Sequence, residues 1–262
     1  MAEEGKFDVV VIGGGPGGYP AAIRCAQRGA KVALVEKDKV GGTCLNWGCI
    51  PTKTLLASAE LIARAREAEK FGVKITGIEP DWTAIQARKQ KVTDTLVGGI
   101  LQLLKANGIE LVNGFASITT EKNVLAKTAD GDRVLETDKI ILATGSDPAE
   151  LPTFDFSQPA VMTSTDALAL DHVPKSLIIV GSGVIGSEFA CIFSTLGTEI
   201  VMLELMDRML PTEDSRVAKQ MRSTFRKQGI DIRTETTVTE VLEYREDGIK
   251  VKLSSGDRKS VV

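Results

Sequence analysis

The strongest constraint on this chain is a repeat. The segment VVVIGGGPGGYPAAIRCAQRGAKVALVE, residues 9–36, has a counterpart 168 positions on, LIIVGSGVIGSEFACIFSTLGTEIVMLE, residues 177–204. Gly13, Gly15, Gly18, Gly29 and Glu36 superimpose on Gly181, Gly183, Gly186, Gly197 and Glu204. Each copy opens with an apolar run that reads as a buried parallel strand. Glycines in the spacing G-x-G-x-x-G follow, then a helical stretch, at about 16–28 in the first copy, then a second apolar strand ending in a glutamate. Glycines at this spacing let the backbone approach a pyrophosphate at a helix N-terminus, where free N–H groups and the helix dipole favour an anion. The glutamate is placed to accept hydrogen bonds from a ribose diol. A glycine turn that merely packs a helix on a sheet would account for one copy; two copies at identical spacing point to two dinucleotide sites. Pro20 lies near the limit of what a first helical turn tolerates.

Length and composition are consistent with this reading. A chain of 262 residues has room for about two domains. A net charge of −3 leaves no basic footprint for nucleic acid. No run approaches the length of a membrane span, and MAEEGKFDVVVIGG lacks the basic region and cleavage site of a signal peptide, so a cytoplasmic protein is expected. No metal site is expected, since His172 is the single histidine and there is no C-x-x-C pair.

The expected fold class is α/β, with two Rossmann-like dinucleotide-binding domains, 1–150 and 151–262, each carrying an antiparallel meander and the second incomplete. Between the repeats the pattern predicts helices at about 52–70 and 82–107, short alternating strands to about 136 with a turn at Asp130-Gly131, and a parallel strand in KIILATGS. Residues 147–159, with three prolines, read as a linker. A helix at about 213–228 and strands at 230–233 and 238–253 follow the second repeat.

GGTCLNWGCIPTK, residues 41–53, sets Cys44 and Cys49 five positions apart. A disulfide needs Cα atoms roughly 4.4–6.8 Å apart, whereas five residues span about 16 Å as strand and about 7.5 Å as regular helix. The pair can close only in a tightened turn or a distorted helix start, which Gly41, Gly42, Gly48 and Pro51 allow. Such a bond suits a redox role better than a structural one; two reduced thiols remain the alternative. Cys25 and Cys191 lie in apolar helical stretches and read as core fillers.

Two nucleotide sites and a close cysteine pair together resemble the flavin-dependent pyridine nucleotide-disulfide oxidoreductases. GGTCLNWGCIPTK is most similar to the branch that oxidises dihydrolipoamide. The resemblance implies FAD on the first repeat, with Gly13, Gly15, Gly17, Gly18, Glu36 and Lys37 at its ADP half, Gly42, Thr43, Cys44 and Lys53 near the flavin, Ala116 near adenine, and Thr144, Gly145 and Ser146 along the cofactor. It implies NAD on the second repeat, held by Gly181, Gly183, Val184, Ile185, Gly186, Glu188, Glu204 and Val238. Cys44 becomes the thiol that exchanges with the lipoyl group, Cys49 the thiolate against the flavin, and Lys53 and Glu188 a pair at its edge. Electrons would pass from dihydrolipoamide through a Cys44–Cys49 disulfide and FAD to NAD. The implied partners are a lipoyl domain or lipoyl carrier protein and a 2-oxo acid dehydrogenase or glycine cleavage complex, with a homodimer for the full-length enzyme. Relatives continue for a further domain that supplies a catalytic histidine, which His172 does not match, so the chain reads as the front half of such an enzyme. A different disulfide reductase and a cofactor-binding module without turnover are the alternatives.

Overall fold

The computed structural model describes residues 6–245 and 248–254, and the backbone of 258–261. The chain groups into two compact units, Met1–Pro51 with Gln90–Asp147, and Thr52–Lys89 with Pro148–Val262.

In the first unit, β1 (Phe7–Ile12), α1 (Tyr19–Gln27) and β2 (Val32–Glu36) form the strand–helix–strand motif anticipated from the repeat. α2 (Gly42–Asn46) and the start of α3 (Cys49–Arg66) follow, and the chain returns with the end of α4 (Trp82–Ala106) and β3 (Glu110–Asn113). β4 (Phe115–Ile118), β5 (Val124–Thr128) and β6 (Gly131–Leu135) form an antiparallel meander, and β7 (Thr137–Leu142) closes the unit. The main sheet runs β3-β2-β1-β7, all parallel, with Val9 opposite Val32 and Lys139. Alternation along β1 explains its unbroken apolar run. Val9 and Val11 pack with Ala22, Leu34, Ile100 and Leu104 on the helical side, whereas Val10 and Ile12 pack with Val124, Ala126 and Leu135 of the meander. A strand covered on both faces has no polar side, and each fully buried Val or Leu contributes roughly 1.5–3 kcal/mol.

The second unit repeats the plan. α5 (Ser164–Leu168) is closed at its start by a reciprocal cap between Thr163 and Asp166. β8 (Ser176–Val180), α6 (Val184–Thr195), β9 (Glu199–Leu203), α7 (Ser215–Lys227) and β10 (Asp231–Arg233) follow, and the sheet runs β10-β9-β8 in parallel. β11 (Val238–Arg245), β12 (Gly248–Leu253) and β13 (Arg258–Val261) form its antiparallel meander. Ile200 and Met202 face Phe189, Ile192 and Phe193 of α6; Val201 and Leu203 face Val238, Val251 and Leu253 of the meander. The segment 52–89 belongs to this unit through Leu55 and Trp82, which lie in the same core as Phe193, and through the indole N–H of Trp82, which donates to Leu170 O at 2.9 Å.

Three helix boundaries differ from the sequence expectation. α1 begins at Tyr19 rather than 16, because residues 15–18 form the turn, and Pro20 occupies an early helical position that needs no N–H donor. α3 begins at Cys49, before 52, and ends at Arg66, followed by a single 3₁₀ turn at Ala68–Phe71. α7 starts at Ser215 because the Asp214 carboxylate caps it, accepting from Arg216 N at 2.9 Å. Among the described residues no helix is long and apolar enough to cross a membrane.

Candidate functional site

The two glycine turns are built alike. Gly13 and Gly181 both have φ of 101°, in the left-handed region that glycine tolerates. Their amides donate at 2.8 Å to Val35 O and Leu203 O, fastening each turn to its second strand. A Cβ on Gly18 would stand 1.7 Å from Gly13 O, and one on Gly186 would stand 2.2 Å from Gly181 O. The third glycine of each turn therefore lets the helix start against the first strand. The N–H groups of Gly15 and Gly17 donate to no protein acceptor among the described residues, and the opening amides of α6 are free in the same way as in any helix start.

Each turn holds the acid that ends its second strand. Glu36 is buried and accepts from Gly14 N at 2.7 Å through Oε2 and from Asp38 N at 2.8 Å through Oε1. Glu204 is equally buried and accepts from Ser182 N and Ser182 Oγ, both at 2.9 Å, through Oε2, and from Met206 N at 2.9 Å through Oε1. Burial pushes the Glu204 carboxyl up, but the hydrogen bonds from Met206, Ser182 and Leu205 outweigh it and hold the group below its ordinary value. A carboxylate offers about four acceptor positions, so Glu36, with two donors, keeps capacity for a ribose hydroxyl, whereas Glu204 is held more fully. Sequence reasoning had found the acids but missed Gly14 and Ser182, the middle residues of each G-x-G, as the groups that orient them. Their matching place in the repeat was the available signal.

The cysteine segment packs directly on the first turn. Gly41 N donates to Gly14 O at 2.8 Å, and a Cβ on Gly42 would stand 2.6 Å from Gly15 Cα. Gly41 and Gly42 both have positive φ, 97° and 56°. Asn46 Nδ2 donates to Val40 O and Gly42 O, bracing α2. Gly48 permits the bend into α3, since a Cβ there would meet Thr43 O at 2.7 Å. Cys44 thus sits within α2, half-buried, and Cys49 is the first residue of α3, exposed. The expected Cys44–Cys49 disulfide is not present in this structure. A bend at Trp47 and Gly48 interrupts the helix between the two residues.

Other named residues of this unit gather around the same turn. A Cβ on Gly13 would lie 2.1 Å from Ala143 O, so Thr144, Gly145 and Ser146 leave β7 beside it, exposed. Gly114 N donates to Glu36 O at 2.8 Å, and Ala116, half-buried, stands two residues further along β4. Lys37 and Thr43 are exposed.

In the second unit, Val184 and Ile185 are exposed at the start of α6, and a Cβ on Gly183 would meet nothing within 4 Å. Thr236 N donates to Glu204 O at 2.8 Å, which brings the start of β11 to the acid; Val238 itself is buried in the core. Glu188, one turn into α6, pairs with Lys53 of α3 at 2.6 Å. Cys191 packs on the core, where burial first and the Glu188 charge second push its thiol up. Cys25 packs likewise in the first unit.

A doubled strand–turn–helix–strand unit with a thiol pair on one turn defines a class of nucleotide-dependent redox protein. The chain belongs to the pyridine nucleotide-disulphide oxidoreductase family, whose pattern it matches over residues 7–261. Among curated proteins it is 41% identical to a dihydrolipoyl dehydrogenase of Bacillus subtilis over 89% of this chain and 51% of that protein. It is 41% identical to that of Acholeplasma laidlawii over 92% of this chain and 72% of the relative. Among solved structures, LpdA from Mycobacterium tuberculosis is similar with a TM-score of 0.89 at 27% identity, over 97% of this chain and 57% of that one. The HOCl-induced flavoprotein disulfide reductase RclA from Escherichia coli is similar with a TM-score of 0.85 at 30% identity, over 98% and 55%. The chain spans about half the length of curated relatives such as the dihydrolipoyl dehydrogenases of Bacillus subtilis and Zymomonas mobilis. The family is FAD-dependent and uses NAD(H), and the two glycine turns with a carboxylate at each strand end fit two dinucleotides.

Proposed function

We propose that the chain is the cofactor-binding and dithiol-bearing part of a dihydrolipoyl dehydrogenase, with FAD in the first unit and NAD in the second. Its donor is dihydrolipoamide carried on a lipoyl domain or lipoyl carrier protein, its setting a 2-oxo acid dehydrogenase or glycine cleavage complex in the cytoplasm, and its full-length form a homodimer. The observation that carries this reading is the packing of Gly41 and Gly42 on the first glycine turn, which sets a cysteine pair against a dinucleotide-binding loop.

FAD, when bound, supplies the two-electron carrier between the dithiol and NAD. In the first unit Gly13, Gly15, Gly17 and Gly18 present the turn to a pyrophosphate, Glu36 takes the ribose with Lys37 beside it, Ala116 and Thr144 to Ser146 line the cofactor, and Gly42 and Thr43 bring the cysteines to it. In the second, Gly181, Gly183, Val184, Ile185 and Gly186 form the equivalent turn, and Glu204 and Val238 flank the adenosine side.

The sulfur exchange is carried by Cys44 and Cys49, and the protons of the substrate thiols pass to solvent or to a base outside these residues. A substrate thiolate attacks Cys44 Sγ of the oxidised pair, and the Cys44–Cys49 bond breaks with its electron pair leaving on Cys49 as thiolate. The second substrate thiol, on losing its proton, attacks the mixed disulfide, releasing cyclic disulfide and leaving Cys44 as thiolate. Lys53, held by Glu188, places a positive charge four residues after Cys49 along α3.

The test is reconstitution of the 262-residue chain with FAD, removal of free flavin, and anaerobic treatment with NADH. Flavin absorbance should remain with the protein, and a thiol count should rise by two when an oxidised sample is reduced. Failure to retain flavin overturns the assignment of the first unit.

A further inference from the structure

We propose that Ser182 is a positioning residue for nucleotide selection: by giving two donors to one oxygen of Glu204 it fixes the charged carboxylate so that a ribose diol is accepted and a 2′-phosphate is refused. The inference rests on the reading that the second unit holds NAD.

The argument comes from the one place where the two repeats differ chemically at the acid. In the first copy Gly14 supplies a single N–H to Glu36 Oε2, and Asp38 N supplies one to Oε1. Each oxygen therefore keeps about one open acceptor position. In the second copy Ser182 supplies both its N–H and its O–H to Glu204 Oε2, while Met206 N supplies one to Oε1. Oε2 is then filled from one side by a single residue, and the carboxylate is held by more donors than Glu36 has.

The serine hydroxyl has no freedom to do otherwise. Ser182 is fully buried at 0% exposure, and an ionised carboxylate offers acceptors only, so the hydroxyl proton must point at Glu204. The Ser182 carbonyl is held by Leu210 N at 3.0 Å and by Ser187 Oγ at 3.4 Å, which anchors the serine itself. A carboxylate clamped in this way stays charged and cannot swing from an approaching phosphate, whereas a ribose hydroxyl gains a charge-assisted acceptor. Loss of the hydroxyl removes one of the donors that hold the carboxylate and loosens its orientation.

The test uses Ser182→Ala and Ser182→Gly in the 262-residue chain, with NAD and NADP binding followed by calorimetry and the Glu204 carboxyl titrated by carbon-13 NMR. Both variants should bind NAD about tenfold more weakly, the effect of one hydrogen bond to a charged group. Their preference for NAD over NADP should fall by roughly three- to tenfold on the same basis, and Glu204 should titrate at higher pH. A merely structural serine would move neither the preference nor the titration, and folded variants that leave both unchanged overturn the proposal. Should Ser182→Ala fail to fold, Ser182→Gly decides, because glycine already occupies the equivalent place in the first repeat. If the unmodified chain binds neither nucleotide, the NAD assignment fails, and the shift in Glu204 titration alone then decides whether Ser182 positions the acid.

Discussion

The ammonium of Lys53 on α3 lies 2.6 Å from Oε1 of Glu188 on α6, joining residues 135 positions apart in sequence. The lysine side chain is 57% exposed and the glutamate 20%. An ion pair so open to solvent adds little to stability, typically 0–1 kcal/mol. A double-mutant cycle with Lys53→Met and Glu188→Gln should therefore give a coupling of about 0.2–1 kcal/mol that shrinks with added salt. The functional effect should be larger than the structural one: in the FAD-loaded protein Lys53→Met should slow flavin reduction by NADH while leaving the melting temperature nearly unchanged. A loss of several kcal/mol of stability would mean that the pair is structural.

Two glycines of the second turn should separate folding from binding. Gly186→Ala places a Cβ 2.2 Å from a backbone oxygen and should destabilise the unit by several kcal/mol, since no flexible side chain can give way. At Gly183, with φ of −69° and open space around it, alanine should leave thermal stability almost intact. Its methyl group would nevertheless stand where the nucleotide backbone approaches, so NAD binding should weaken about tenfold or more. Melting curves and NAD titrations on both variants check the contrast.

The pH dependence of Glu204 follows from its depressed folded value, set by hydrogen bonds that overcome burial. For an acid lowered on folding, the stabilisation is present above the unfolded value and is lost as pH falls through the folded one. Glu204→Gln should cost about 1–3 kcal/mol at neutral pH, because one amide hydrogen replaces an acceptor facing a donor. The penalty should begin to shrink as pH falls below about 4.3 and vanish once the native carboxyl is protonated. Urea unfolding of both proteins at a series of pH values measures the difference; a penalty that persists unchanged in acid would falsify this account.

The two thiols should have distinct signatures in the FAD-loaded, reduced protein. Cys44→Ser should abolish exchange with lipoamide yet keep a long-wavelength absorption band from thiolate beside flavin. Cys49→Ser should lose the band. Anaerobic visible spectra with a thiol-exchange assay distinguish the roles, and the reverse pattern would interchange the two assignments.

Much of this protein was determined by the sequence alone. The apolar strands, the glycine turns and the glutamates at the strand ends recur at one spacing, and such local patterns are dictated by side-chain period and by the few residues that accept positive φ. The cysteine motif carried the family resemblance in the same local way. Tertiary structure decided what those residues touch. Whether Glu36 and Glu204 stand free or are clamped depends on the return of β2 and β9 beside the turns, which brings Gly14 and Ser182 to acids 22 residues distant. The placing of 52–89 with the second unit was equally invisible, because an amphipathic helix shows that it has a buried face but not which core covers it; here Leu55 and Trp82 pack in the core around Phe193. Long-range partners depend on the path of the whole chain, and no window of residues contains that path.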